Sequence, residues 1–225
     1  MCVPTNKPTL LFSRDALQAI DRDAVELFGV PSIVLMENAA IGAAKLIQAH
    51  CKDTISTITV VCGGGNNGGD GYGTARHLRN FGYDINILQL AKPNTTDTAI
   101  NEHIALHMNI PITQWTTGAI CGDSLIIDAI FGTGLNRTVT GDYAEAINEI
   151  NTSDSRCISL DIPSGLDCDD GIPQGCCVQA AETISFVGLK LGFKKEGASR
   201  FTGNVSVVDI GCPHCLLQTY GVVAT

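Results

Sequence analysis

Charge and aromatic rings are both scarce in this chain. Asp, Glu, Lys and Arg make up 16% of its 225 residues, and Phe, Tyr and Trp only 5%, with a single tryptophan. Cations are the shorter side of the balance: 14 Lys and Arg stand against 23 Asp and Glu, for a formal net charge of −9. A nucleic-acid backbone or an anionic lipid surface demands clustered Lys and Arg, so neither is an expected partner. Any phosphate must be held locally, by loops. Also missing is an apolar stretch of the roughly 18 or more residues that a membrane span requires. The opening Met1-Cys2-Val3-Pro4-Thr5-Asn6-Lys7-Pro8 has neither a secretory h-region nor the Arg-rich character of a transit peptide. A cytoplasmic protein with no membrane contact is expected. No composition shift or low-complexity linker divides the chain, so one domain is expected over 1–225, with 1–12 as a flexible N-terminal segment.

Hydrophobic residues, by contrast, reach 44%, more than a soluble monomer of this charge content needs, which points to apolar surface covered by a second subunit. The ten cysteines fall largely within apolar strand-like runs of an α/β pattern, where cysteine behaves as a small hydrophobe; they are expected as reduced thiols. Cys212-Pro213-His214-Cys215 is a lone C-x-x-C without a second pair, and His103 and His107 lack the glutamate of a zinc-protease helix, so neither is assigned chemistry.

The chain is organised around Val60-Val61-Cys62-Gly63-Gly64-Gly65-Asn66-Asn67-Gly68-Gly69-Asp70-Gly71, an apolar run that stops in glycines, two asparagines and an aspartate. This reads as a strand feeding a binding loop, with a helix starting near Asp70 that aims its positive end at the ligand. Asn66, Asn67 and Asp70 add oxygens for a cation or hydrogen-bonding groups for a polar ring or ribose. Gly63, Gly65 and Gly68 also satisfy G-x-G-x-x-G, the dinucleotide fingerprint of an oxidoreductase. That reading requires an acid at the end of the next strand, and Asp84-Ile85-Asn86-Ile87-Leu88-Gln89-Leu90 has its only acid at the start.

Along the chain, Ser13 is the expected cap of an amphipathic helix through Leu17, Ile20, Ala24, Val25 and Phe28. A second helix follows Pro31 and runs to about His50. Strands are expected at 57–62, 84–90, near 112–116, 124–129, 156–161, 183–187 and 204–209, with helices at 70–81, about 96–108 and 142–150. Such alternation implies a Rossmann-like three-layer α/β/α sandwich with a mostly parallel central sheet, whose ligands bind beyond the carboxyl ends of the strands. Three loops converge there: the glycine loop, Asp128-Ala129-Ile130-Phe131-Gly132-Thr133-Gly134-Leu135-Asn136-Arg137, and Asp161-Ile162-Pro163-Ser164-Gly165-Leu166-Asp167. One acid at a strand end is often a turn residue. Three on one rim suggest a site.

In this order and spacing the loops resemble the NAD(P)H-hydrate epimerase family, with its G-N-N-G-G-D-G, D-A-[IL]-[FL]-G-[TF]-G and D-[IV]-P-S-G motifs. Val34-Leu35-Met36-Glu37-Asn38-Ala39-Ala40 is similar to the family's M-E-N-A-G helix, with Ala40 in place of the glycine. The resemblance runs from about Ser13 to Cys212. It implies an isomerase that interconverts the R and S forms of hydrated NADH or NADPH, usually a homodimer, working with a separate dehydratase for which this chain has no room. It further implies that Asn66, Asn67, Gly68, Gly69 and Asp70 contact the substrate; that Asn67, Asp128 and Ser164 hold potassium; that Gly132, Thr133, Gly134, Leu135, Asn136, Arg137 and Thr138 hold the phosphates; and that Asp161 contacts the hydrated nicotinamide nucleotide. Lys190 matches a lysine that the family places beside the site. Chemically, Asp161 is the expected proton shuttle, with Lys190 as its charge partner or as donor to the departing hydroxyl. The competing expectation is a non-catalytic binding or scaffold module of the same fold.

Overall fold

A computed structural model describes residues 9–50, 57–120 and 125–224. Seven strands form one all-parallel sheet: β2 (Thr57–Cys62), β3 (Asp84–Gln89), β4 (Ile112–Gln114), β5 (Leu125–Ala129), β6 (Cys157–Leu160), β7 (Glu182–Phe186) and β9 (Asn204–Val208), in the order β4-β3-β2-β5-β6-β7-β9. The inner strands are parallel because they can be: β5, β6 and β7 are buried at every position and β2 at all but Thr57, as expected of apolar runs covered on both faces. Alternate residues feed two cores. Ile58, Val60 and Cys62 pack with α1 (Arg14–Glu26), α2 (Ser32–His50), α3 (Asn66–Asn80) and α4 (Thr96–His107), while Val61, Leu88 and Ile126 pack with α5 (Asp142–Thr152) and the segments around Trp115, Leu135 and Val178. Short helices α6 (Ser199–Thr202) and α7 (His214–Tyr220) follow.

The strand order reverses direction between β2 and β5. From β2 the chain steps outward to β3 and β4, and from β5 it steps the other way to β6, β7 and β9. The connections after β2 and β5 therefore part company at their carboxyl ends and leave a crevice, which is where ligands sit in sheets of this kind.

Several expectations change. Helix α3 starts at Asn66, with Gly65 as its N-cap, four residues earlier than the sequence suggested. Asn66, Asn67, Gly68, Gly69 and Asp70 are thus helical, and the loop proper is Gly63-Gly64-Gly65. The helix tolerates so many glycines because its neighbours leave no room for anything else. A Cβ on Gly68 would lie 2.0 Å from the Gly63 carbonyl oxygen, and one on Gly73 would lie 2.6 Å from the Ala40 methyl. Gly73 thereby admits the alanine that stands where the related motif has glycine. Residues 10–12, expected in a flexible segment, form strand β1 (Leu10–Phe12), which pairs in parallel with β8 (Leu189–Lys190) and antiparallel with β10 (Val222–Val223); residues 1–8 lie outside the described residues. Val25 and Phe28, assigned from the pattern to the buried face of α1, are exposed, as are Leu27 and Val34. Residue 124 of the strand expected at 124–129, with Cys2, Cys51 and Cys121, is outside the described residues; the seven described cysteines are free thiols.

Gly68→Ala and Gly65→Ala separate packing from flexibility. The first forces a methyl into a backbone carbonyl and should lower stability by about 1–3 kcal/mol or more. The second meets nothing within 4 Å and has ordinary φ −87°, so it should cost no more than about 1 kcal/mol. Urea unfolding of the two variants measures both; equal losses would remove the packing explanation.

Candidate active site

The crevice is a cavity of about 660 Å³, within the range usual for small-molecule sites. Its walls are Leu17, Gln18 and Asp21 of α1, Gly64 and Gly65 with Asn66, Asn67 and Asp70 at the start of α3, the segment 130–137 after β5, Asp161 after β6, and Phe186 and Val187 at the end of β7. The amino end of α3, with its unpaired N–H groups and positive dipole end, opens into this space. Beside it sits Asn67, only 6% exposed, whose side-chain oxygen and nitrogen both lack a hydrogen-bond partner. A buried amide left unsatisfied costs about 1–3 kcal/mol. Its position against Gly132, where a Cβ would stand 3.4 Å from its own, presents it to whatever occupies the cavity.

Asp161 is placed by strain and by charge. It adopts φ +65°, a left-handed conformation rare outside glycine, and its amide donates to the Ile184 carbonyl at 2.7 Å. Its Oδ1 accepts from Lys190 Nζ at 2.6 Å and its Oδ2 from the Thr133 amide at 3.2 Å. Val187, with φ +68°, is the other non-glycine cavity residue in this region of backbone space. Strained backbone held by its surroundings is a mark of functional sites. Lys190 is fully buried, with no exposure to solvent. Its ammonium also donates to Ser185 Oγ and the Phe186 carbonyl, each at 2.9 Å, with the Gly188 carbonyl at 3.4 Å. All three of its hydrogens are therefore committed to the protein. The Thr133 carbonyl in turn accepts from Arg14 Nε at 2.9 Å, and Arg14 is paired with Asp167 at 2.6 Å, so α1 is pinned to both loops.

Asp128 lies beneath the cavity, fully buried. Its carboxylate accepts from Ser159 Oγ at 2.7 Å, Ser164 Oγ at 2.5 Å, the Ser164 amide at 2.9 Å and the Ile130 amide at 3.2 Å. Burial raises its pKa, and these four donors oppose the rise. Ser164 Oγ also accepts from the Phe131 amide at 2.8 Å. The Asp128–Ser164 pair thus ties the loop after β5 to the loop after β6.

Of the sequence-derived residues, Asn66, Asn67, Asp70, Gly132 to Arg137 and Asp161 line one cavity. Gly68 and Gly69 face inward, against Gly63 and against Met36 and Thr98, and Thr138 lies outside the wall with its methyl beside Gly175. Lys190, Asp128 and Ser164 stand behind the wall and bond to residues that form or support it. Sequence reasoning missed Arg14 and Asp21, both on a helix read only for its apolar face. It also missed Asp97, in the first turn of α4, which lines the cavity with Asn94 and Thr95. Asp97 reaches the cavity from eight residues beyond β3 because the Asn94 amide and Thr98 hydroxyl bond the Gly64 and Gly65 carbonyls and draw the start of α4 inward. Two further carboxyls respond to this setting. Burial, then the charges of Asp161 and Asp21, hold Asp70 well above its usual range. Asp21 is exposed toward the cavity, yet desolvation among its crowded walls, then Asp161, pushes it up to about 6, against the lowering effect of Lys190.

Residues 32–192 match the family described as YjeF-related protein N-terminus. The chain belongs to that family. It is 39% identical over 212 residues to the NAD(P)H-hydrate epimerase of Rhodopirellula baltica, covering 92% of this chain and 86% of that protein. A protein of the same name from Levilactobacillus brevis is 38% identical over 86% of this chain and 90% of its own. The Bifunctional NAD(P)H-hydrate repair enzyme Nnr of Moorella thermoacetica is 37% identical over 89% of this chain, which spans 40% of that longer protein. Among solved structures, a yeast protein superposes with a TM-score of 0.82 at 21% identity, over 96% of this chain and 95% of that one, a likeness of fold.

The hydrogen bonding of Asp128 sets a stability expectation. Asp128→Ala takes the acceptor from four donors, of which only the Ser164 hydroxyl has another within reach, the Phe131 carbonyl at 3.3 Å, and should destabilise the fold by about 3 kcal/mol or more, at roughly 1–3 kcal/mol per unsatisfied group. Asn67→Ala removes an amide that bonds nothing in the protein and should leave stability unchanged or higher. Denaturant midpoints for the two variants test this, and a mild effect of Asp128→Ala would contradict the network's structural importance.

Proposed function

We propose that the protein is an isomerase interconverting the R and S epimers of hydrated NADH and NADPH. What carries the reading is the near full-length similarity to proteins named NAD(P)H-hydrate epimerase, joined to a dinucleotide-sized cavity with a carboxylate held at its wall by a buried lysine. A scaffold module would gain nothing from burying an ammonium beneath an open cavity.

The substrate carries a hydroxyl on the carbon next to the ring nitrogen. The nitrogen lone pair expels it, leaving a planar iminium that water re-attacks from either face. The intermediate is cationic, and the Asp161 carboxylate at the cavity wall is suited to stabilising developing positive charge. Asp161 takes the proton of the incoming water. Lys190 serves as its charge partner rather than as donor to the departing hydroxyl, since its hydrogens are already used. Gly132 to Asn136 and Arg137 grip the phosphates through backbone N–H groups and one guanidinium. Thr138, placed outside the wall, joins only if the loop shifts.

Asn67, Asp128 and Ser164 suit a potassium ion. The unpartnered Asn67 amide offers an oxygen, and one carboxylate with neutral oxygens suits a monovalent hard cation, whereas no group of three or more His, Cys, Asp or Glu placed for a metal occurs among the described residues. Asn67, Asp128 and Ser164 would hold such an ion, which would supply a positive charge to orient substrate oxygens and offset Asp128. A cytoplasmic homodimer is the proposed state; exposed Val25, Leu27, Phe28 and Val34 near the α1–α2 turn supply apolar surface of the kind subunits cover. A separate dehydratase is the proposed partner, supported by the relative whose name records two functions.

Chromatography of separated epimers tests the function. The wild type should equilibrate R and S, and Asp161→Ala should slow equilibration by about 10²–10⁴ in the protein that remains folded, the unpaired Lys190 costing roughly 3–5 kcal/mol of stability. Asn67→Ala should reduce the dependence of rate on potassium. Activity of Asp161→Ala within a few-fold of wild type would exclude Asp161 from the chemistry.

A further inference from the structure

Water loss needs a proton at the departing hydroxyl; Lys190 has none to spare, and Asp161 can return only a proton that it has first taken from water. Lys190 spends its hydrogens on Asp161, Ser185 and Phe186, and Asp161 is its counter-ion, with both oxygens engaged. Resting on the epimerase reading, we propose that Asp21 is the general acid of this reaction, delivering its proton from α1 while Asp161 works from the loop after β6.

Helical spacing puts Leu17, Gln18 and Asp21 on one side of α1, and all three form the cavity wall. Asp23, two residues on, faces elsewhere: it bonds Tyr220 and Arg22, and those bonds lower its pKa despite burial. Two carboxyls on one helix are thus driven in opposite directions by where they point. The groups facing Asp21 are Asp161, Asp70 from α3, Lys190 from β8 and the Cys212 thiol beyond β9. Desolvation at the cavity wall and Asp161 favour its protonated form, so that a minor fraction of Asp21 carries a transferable proton at neutrality, and more of it below, while the lysine-bound Asp161 remains the acceptor. Paired carboxyls with divided roles are an effective acid–base arrangement. A planar intermediate also needs proton handling on each face, which one carboxylate on one wall cannot provide.

As the C–O bond breaks, its electron pair goes to oxygen, which takes the Asp21 proton and leaves as water; the ring-nitrogen lone pair forms the C=N bond. A water on the other face adds its oxygen lone pair to the same carbon, the C=N pair returns to nitrogen, and the water's proton passes to Asp161. Each inversion moves one proton off Asp21 and one onto Asp161, and exchange with solvent restores both. In the opposite direction the roles exchange.

The test is epimer equilibration by wild type, Asp21→Asn and Asp21→Glu between about pH 6 and 9, with melting temperatures alongside. Asp21→Asn should lower kcat by about 10²–10⁴ with KM little changed, the decline of kcat toward high pH should vanish from its residual activity, and Asp21→Glu should recover part of the rate. An Asp21→Asn enzyme within about threefold of wild type, a loss confined to KM, or a loss that leaves the shape of the pH profile unaltered would each overturn the assignment. A wild type that fails to equilibrate the epimers would instead overturn the epimerase reading itself.

Discussion

An ammonium group with no exposure to water is the constraint on which the rest of the site depends. Removing an ion of this size from water costs several kcal/mol even after relaxation, so Lys190 is tolerable only with a counter-charge and a full set of acceptors. Asp161 supplies the first, and Ser185, Phe186 and Gly188 the second. Meeting that demand bends the backbone at Asp161 and Val187 into left-handed conformations and uses the β1–β8 pairing, Phe12 opposite Lys190, to hold the lysine in register. The same carboxylate then fixes the Thr133 amide, and through it the loop after β5.

The cavity divides its charges accordingly. Acids gather where α1, α3 and the loop after β6 meet, and the cation in the wall, Arg137, comes from the glycine-rich segment after β5. A chain this poor in Lys and Arg can still bind a diphosphate when N–H groups at a helix start and a glycine turn do most of the work. Asp128 shows a different economy. Its carboxylate joins two site loops, so any role toward a cation is layered on a structural one.

The alternation of helices and strands was legible because inner parallel strands are apolar runs, and the rim of three loops followed from the rule that ligands bind beyond strand ends. The start of α3 was not legible. Glycine has low helix propensity, and what requires it at Gly68 and Gly73 is close contact with the Gly63 carbonyl of the preceding loop and with Ala40 on α2, contacts that appear only once the chain is folded. Strands of two or three residues, β1, β8 and β10, carry no periodicity to read. Charged residues were hardest: in the sequence Asp21 looks like Asp15 or Asp23, and Lys190 like any surface lysine, because burial and direction are properties of the folded neighbourhood. The identity of the family, in contrast, rested on three motifs in order, which local chemistry and packing had no need to explain.

Inversion by loss and re-addition of water on opposite faces makes a demand on the oxygen atom itself. Incubating one purified epimer with the protein in ¹⁸O-enriched water, and following label and configuration by mass spectrometry of the separated epimers, tests it directly. The expected result is one solvent oxygen gained for every inversion, at the rate of inversion. Epimers that invert while retaining their original oxygen would contradict the mechanism and the division of labour between the two walls of the cavity.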